Sequence, residues 1–158
     1  MSIDLKKEMY GAFPFVLASL KADINNCPEA LWEKRCGGNP YWQQVFHAIV
    51  STSQLLDSVE KPNFPIPIEV ASLQGSEYIS DYDGVHSKEL MLESLDVLMT
   101  YIDRYFEALS DDDLAKTVDF YGSEMTLFNK IGIATSHIMY HIGALDAALR
   151  DNGGKASM

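Results

Sequence analysis

The chain is short of basic charge, of cysteine and of long apolar runs, and each shortage removes a class of function. Twelve Lys and Arg stand against twenty-three Asp and Glu, for a formal net charge of −11. Nucleic-acid binders neutralise phosphates with clustered Lys and Arg. Here Lys6-Lys7 and Lys34-Arg35 are the only adjacent basic residues, and neither doublet widens into a patch, so no nucleic-acid partner is expected. The acidity reads as a solubility feature. Cys27 and Cys36 are the only two cysteines, nine residues apart with no CxxC spacing, so neither a disulfide between them nor a ligand role is expected, and two unpatterned thiols suit a reducing, cytoplasmic setting. The apolar stretch GAFPFVLASL at residues 11–20 is too short to span a bilayer. Asp4 and Glu8 precede it where a signal peptide carries basic residues, and Lys21 and Asp23 follow without a small-residue cleavage site, so no membrane partner is expected. Also missing are the phosphate-binding P-loop, the GxSxG nucleophile elbow, the dinucleotide-binding glycines, the HExxH zinc-protease motif and the Glu-x-x-His pair of di-iron bundles.

What is present is helical periodicity. With 158 residues, 47% of them hydrophobic, the chain reads as a single domain, 1–158, that buries a core without covalent staples. Met9, Phe13, Leu17, Leu20 and Ile24 mark an amphipathic helix over residues 3–25, with Pro14 expected to kink or break it. A connector follows over residues 26–39, with a short turn at 28–32, and closes on Gly37-Gly38. Asn39-Pro40 reads as an N-cap with proline at the first helical position, opening a second helix to about residue 59 along Val45, Ile49, Thr52 and Leu56. Residues 60–86 carry Pro62, Pro65, Pro67, Gly75 and Gly84 and read as a long functional loop or crossover. A third helix is expected over 87–109, and Ser110 with Asp113 reads as a capping box on a short turn at 111–116. The last helix is placed at 123–151 along Leu127, Ile131, Ala134, Ile138, Ile142, Leu145 and Leu149, stopped by Gly153-Gly154. The architecture these elements predict is all-α: a four-helix bundle with a long crossover between its second and third helices.

The chain has four histidines, and three of them suggest chemistry. His137 and His141 are four residues apart, one helical turn plus about 40°, which puts both imidazoles on one face. They lie beside the apolar stripe of the last helix, so they should point into the bundle, where an imidazole needs a partner. His47 lies midway along the second helix and could face them, giving three ligands and an open position, the plan of a catalytic metal site. Taken singly, each histidine is as readily a packed or solvated residue. His86, beside Asp81, Asp83 and Gly84, reads as a solvated loop residue. Thr135 and Ser136 read as helix surface or packing residues. Tyr140, Gln43 and Gln54 are candidates, by helical proximity, to orient the imidazoles. The loop at 60–86 and the Trp32–Trp42 region are candidate pocket walls.

On these residues, His47 in NPYWQQVFHAIVSTSQLLD and the pair in ATSHIMYHIGALDAALRDNGG, the chain resembles the DinB/YfiT-like superfamily over essentially its whole length. The resemblance implies a four-helix bundle in which His47, His137 and His141 ligate a divalent metal, nickel or zinc foremost. It implies an enzyme acting on a small-molecule substrate, a transferase using a low-molecular-weight thiol, with hydrolase and isomerase relatives, and a homodimer. No other catalytic residue carries over. Against this stands a non-catalytic dimeric bundle, an interaction or stress-response protein with a structural or vestigial metal site.

Overall fold

A computed structural model gives the architecture and describes residues 4–56 and 84–158. Four long helices dominate: α1 (Leu5–Asn26), α3 (Tyr41–Leu56), α4 (Lys88–Ala108) and α6 (Leu127–Asp151), with single-turn helices α2 (Glu29–Trp32) and α5 (Asp111–Leu114) between them. α1 packs on α4 and α6, and α3 packs on the same two helices, so the four close a ring around one core. The architecture is the expected all-α bundle. The expected crossover and the end of the second helix, residues 57–83, lie outside the described residues.

Local chemistry explains most boundaries. The Asp4 side chain accepts from the Lys7 amide at 3.0 Å and starts α1. Pro28 stops it, since the residue before a proline is pushed to extended backbone, and Cys27 sits at φ −66°, ψ 118°. α1 runs unbroken through Pro14, so of the expected kink or break the break does not occur. Phe13, Val16 and Leu17, all buried, clamp the backbone on both sides of the proline. Ser87 caps α4 by accepting from the Leu90 amide at 3.2 Å. The Ser110–Asp113 capping box forms as expected on α5. At the end of α6, Gly154 N donates to Leu149 O at 2.8 Å and Gly153 N to Arg150 O at 3.2 Å, the paired bonds of a Schellman stop.

Two small hairpins were not anticipated. Arg35–Cys36 (β1) pairs antiparallel with Asn39–Pro40 (β2) across Gly37 and Gly38, at φ +65° and +99°. Two consecutive positive-φ residues make the tight hairpin turn that Gly-Gly favours. Asn39-Pro40 is therefore a strand and not a helix cap, and α3 begins at Tyr41. Likewise Thr117–Phe120 (β3) pairs with Ser123–Thr126 (β4) across Tyr121 and Gly122, at φ 50° and 80°. The last helix consequently starts at Leu127 and not at residue 123, capped by Thr126, whose Oγ1 accepts from the Asn129 amide at 3.2 Å.

Candidate metal centre

α3 and α6 lie side by side, and the centre forms where they meet. On α6, Ile138, Ile142 and Leu145 are fully buried, and their periodicity carries His137 and His141 inward with them. His141 is 1% exposed, so its imidazole belongs to the core, whereas His137 is half-buried. On α3 nearly every residue is buried, and the three that are not, His47, Ser51 and Gln54, follow one another at spacings of four and three. They form a stripe running from the centre toward solvent.

The three imidazoles converge. His137 Nε2 stands 3.4 Å from His47 Nε2 and 3.3 Å from His141 Nε2. One ring nitrogen from each residue can be chosen so that all lie within 4.8 Å of one another. Nitrogens bound to one ion at about 2.0–2.1 Å in tetrahedral geometry are about 3.3–3.4 Å apart, whereas neighbouring nitrogens in an octahedron are about 3.0 Å apart. Those two separations fall in the tetrahedral range, and the third pair lies within 4.8 Å. Burial favours the neutral rings that ligation requires. Burial first, then the charge of His137, lowers the pKa of His47 to about 4. Burial, followed by His137 and His47, lowers His141 to about 3. Burial also lowers His137. The donor set thus fits a divalent ion.

The other expected site residues separate. His86 is not a solvated loop residue: its ring stacks on Phe46 at 5.2 Å and meets Trp42 edge-on at 5.4 Å. Its carbonyl accepts from Trp32 Nε1 at 2.8 Å. Trp32 and Trp42 are each 4% exposed and pack in this aromatic cluster. Of the candidates to orient the imidazoles, Tyr140 is 71% exposed with its ring 5.1 Å from that of His141, Gln54 is exposed, and Gln43 is buried. Thr135 and Ser136 donate to Gly132 O at 3.0 and 2.9 Å, which agrees with their reading as helix residues. A residue that sequence reasoning overlooked is Ser51. Its Oγ lies 3.1 Å from His137 Nδ1 and also bonds the His47 carbonyl. The signal was there: Ser51 follows His47 by one turn, so it shares that imidazole's face.

A ring of four helices that gathers three imidazoles between two neighbours defines a helical bundle with a candidate metal centre. A profile of the DinB superfamily matches residues 15–145, and the chain belongs to that superfamily. Among solved structures, a DinB-like protein from Bacillus cereus ATCC 10987 is similar, with a TM-score of 0.65 and 16% identity. The similarity covers 95% of this chain and 94% of that one, and it is a likeness of fold. No curated protein matches the chain.

Proposed function

We propose that the chain is a metal-dependent enzyme in which His47, His137 and His141 hold one divalent ion and leave a further coordination position open. The observation that carries this is the pair of Nε2 separations, 3.4 and 3.3 Å, at the tetrahedral edge. Such an ion supplies Lewis acidity, since three neutral nitrogens leave its charge uncompensated, and it makes a thiol or water more acidic at the open position. The protein's own contribution is to hold three neutral rings in place and to keep one side of the centre accessible. His47 and His137 are half-buried, and the stripe from His47 through Ser51 to Gln54 leads outward.

The reaction class we favour is transfer of a low-molecular-weight thiol to a small electrophile, or hydrolysis of a small substrate. Superfamily membership supports the choice of a small-molecule substrate. The proposal includes a cytoplasmic homodimer. Two free thiols, Cys27 and Cys36, suit a reducing compartment. Among the described residues, no helix is long and apolar enough to cross a membrane. An apolar groove of about 570 Å³ lies between α1 and α6, lined in part by Met9, Met125 and Phe128, and contains none of the three histidines.

Metal analysis of protein purified without an immobilised-nickel column tests the reading. About one divalent ion per chain is expected, lost in His47→Ala and His137→Ala; metal-replete wild type that carries none would refute the centre. Retained helical circular dichroism in both variants separates a working ion from a structural one, whose loss would unfold the bundle. A panel of thiols with a generic electrophile then tests the chemistry, and absence of metal-dependent turnover removes the transferase version.

A further inference from the structure

We propose that Ser51 is a positioning residue that fixes the tautomer of His137, so that this ring presents a bare Nε2 to the centre; the proposal deepens the metal-centre reading and rests on it. A helical serine bonded to the carbonyl four residues back is commonplace. Thr52 bonds Ala48 O at 2.6 Å and Ser94 bonds Leu90 O at 2.7 Å, and neither bond serves a site. Ser51 does the same with His47 O, but its oxygen makes a second contact, 3.1 Å from His137 Nδ1 on the facing helix. The two contacts together determine the direction of the second.

A hydroxyl has one hydrogen to give and two lone pairs. A backbone carbonyl can only accept, so the hydrogen of Ser51 goes to His47 O. The ring nitrogen of His137 must then donate, which puts the imidazole proton on Nδ1. Nε2 of that ring is left with its lone pair, and it is the nitrogen that faces both other imidazoles, at 3.4 and 3.3 Å. The same hydroxyl is anchored to the backbone of one ligand residue, His47, and to the ring of another, so it holds the two helices' donors in a fixed relation. His137 needs such a restraint most. Its Nε2 is the atom that approaches both other imidazoles, and the ring is only half-buried, so packing restrains it less than it restrains His141.

The test uses the full chain with Ser51→Ala, and Ser51→Thr against Ser51→Val, a pair of the same shape that differs in the hydroxyl. Long-range ¹H–¹⁵N spectra of metal-free protein report the tautomer of His137 directly, and zinc affinity is read by competition with a chromophoric chelator. The wild type and Ser51→Thr should show protonated Nδ1. Ser51→Ala and Ser51→Val should mix in the Nε2-protonated form and bind zinc about 10–100-fold more weakly, the usual effect of losing a ligand-orienting partner. A wild-type His137 protonated at Nε2 overturns the proposal, as do Ala and Val variants with unchanged tautomer and affinity. Wild type that binds no zinc would remove the metal reading instead, and the metal-free spectra would still decide whether Ser51 sets the ring.

Discussion

Replacing Asp23 by asparagine should stabilise the bundle, and by an amount that depends on pH. Asp23 on α1 is 0% exposed and Asp146 on α6 is 2% exposed, so two carboxyl groups share one dry site. The Ser157 amide bridges them, donating to Asp23 Oδ1 at 3.1 Å and to Asp146 Oδ1 at 2.7 Å. Arg150 stands 3.8 Å from Asp146 Oδ2, while Tyr41 and Cys27, the other groups within electrostatic reach of Asp23, are both pushed up by burial, Cys27 to about 12. Asp23 Oδ2 has no donor among the described residues. A proton on that oxygen resolves the deficit, because it can be donated to Asp146. Burial, then the hydrogen bond and charge of Asp146, accordingly raise the pKa of Asp23 from 3.8 to about 7.

A folded-state pKa above the unfolded value means that the protonated form is the one the fold favours. The contribution is fully present below the unfolded value of 3.8, is lost as the pH climbs to about 7, and stays lost above that. At about 1.4 kcal/mol per pH unit, the loss has a ceiling of about 4 kcal/mol. In Asp23→Asn, the new side chain would place an amide Nδ2 where the protonated oxygen was, donate to Asp146 permanently, and keep its Oδ1 for Ser157. Urea unfolding of metal-free protein, followed by circular dichroism, should find Asp23→Asn more stable than wild type by up to about 4 kcal/mol near pH 8, with the difference vanishing near pH 4. The three histidines act in the opposite sense. Their lowered values mean stability present above the unfolded 6.5 and lost on acidification, through about 4 for His47 and about 3 for His141. That loss is common to both proteins and cancels in their difference. A difference that is the same at both pH values, or a variant less stable than wild type at the alkaline end, would refute the shared proton.

Two further outcomes test how the site is supported. Leu145→Ala removes a fully buried side chain one turn beyond His141 and should cost about 2–5 kcal/mol in the same unfolding assay; a cost of a few tenths would mean that the α6 core face is loosely packed. Ser110→Ala deletes the capping hydroxyl of α5 and should cost about 1 kcal/mol without changing metal content, since α5 contributes none of the three imidazoles; a loss of metal in that variant would show that the centre depends on the α5 end of the bundle.

Which parts of this were readable in the sequence follows from the range of the physics involved. Caps and stops are local, so the Ser110–Asp113 box and the terminal glycines marked their boundaries within a residue or two, and the helix expected from 87 begins at Lys88 behind its cap Ser87. Gly37-Gly38 and Tyr121-Gly122 are equally local signals, and the hairpins were missed because those pairs are compatible both with a stop and with a two-residue turn. What distinguishes the readings is pairing on either side: Thr-Val-Asp-Phe before Tyr121 and Ser-Glu-Met-Thr after Gly122 form a four-residue register. Pro14 shows the reverse case, a strong local rule overridden by buried neighbours on both sides.

The site divides along the same line. His137 and His141 were legible as a pair because one helix fixes their relation, and a buried stripe at Ile138 and Ile142 fixes their direction. His47 obeys no such rule. Periodicity places a residue when one face of its helix is dry and the other wet, but α3 is buried almost all round, leaving His47, Ser51 and Gln54 as its less covered stripe. On such a helix the apolar pattern does not say which neighbour each face meets, so the convergence of His47 on the pair depended on the packing of α3 against α6. That stripe is itself a signal: three polar residues at spacings of four and three, on a helix otherwise buried, mark the side on which a centre can open to a substrate. It also accounts for Ser51, which a search for ligands passes over because serine in a helix ordinarily satisfies itself on its own backbone. The residue that sets the geometry of a metal centre need not resemble a ligand; it must lie one turn from one ligand and face another.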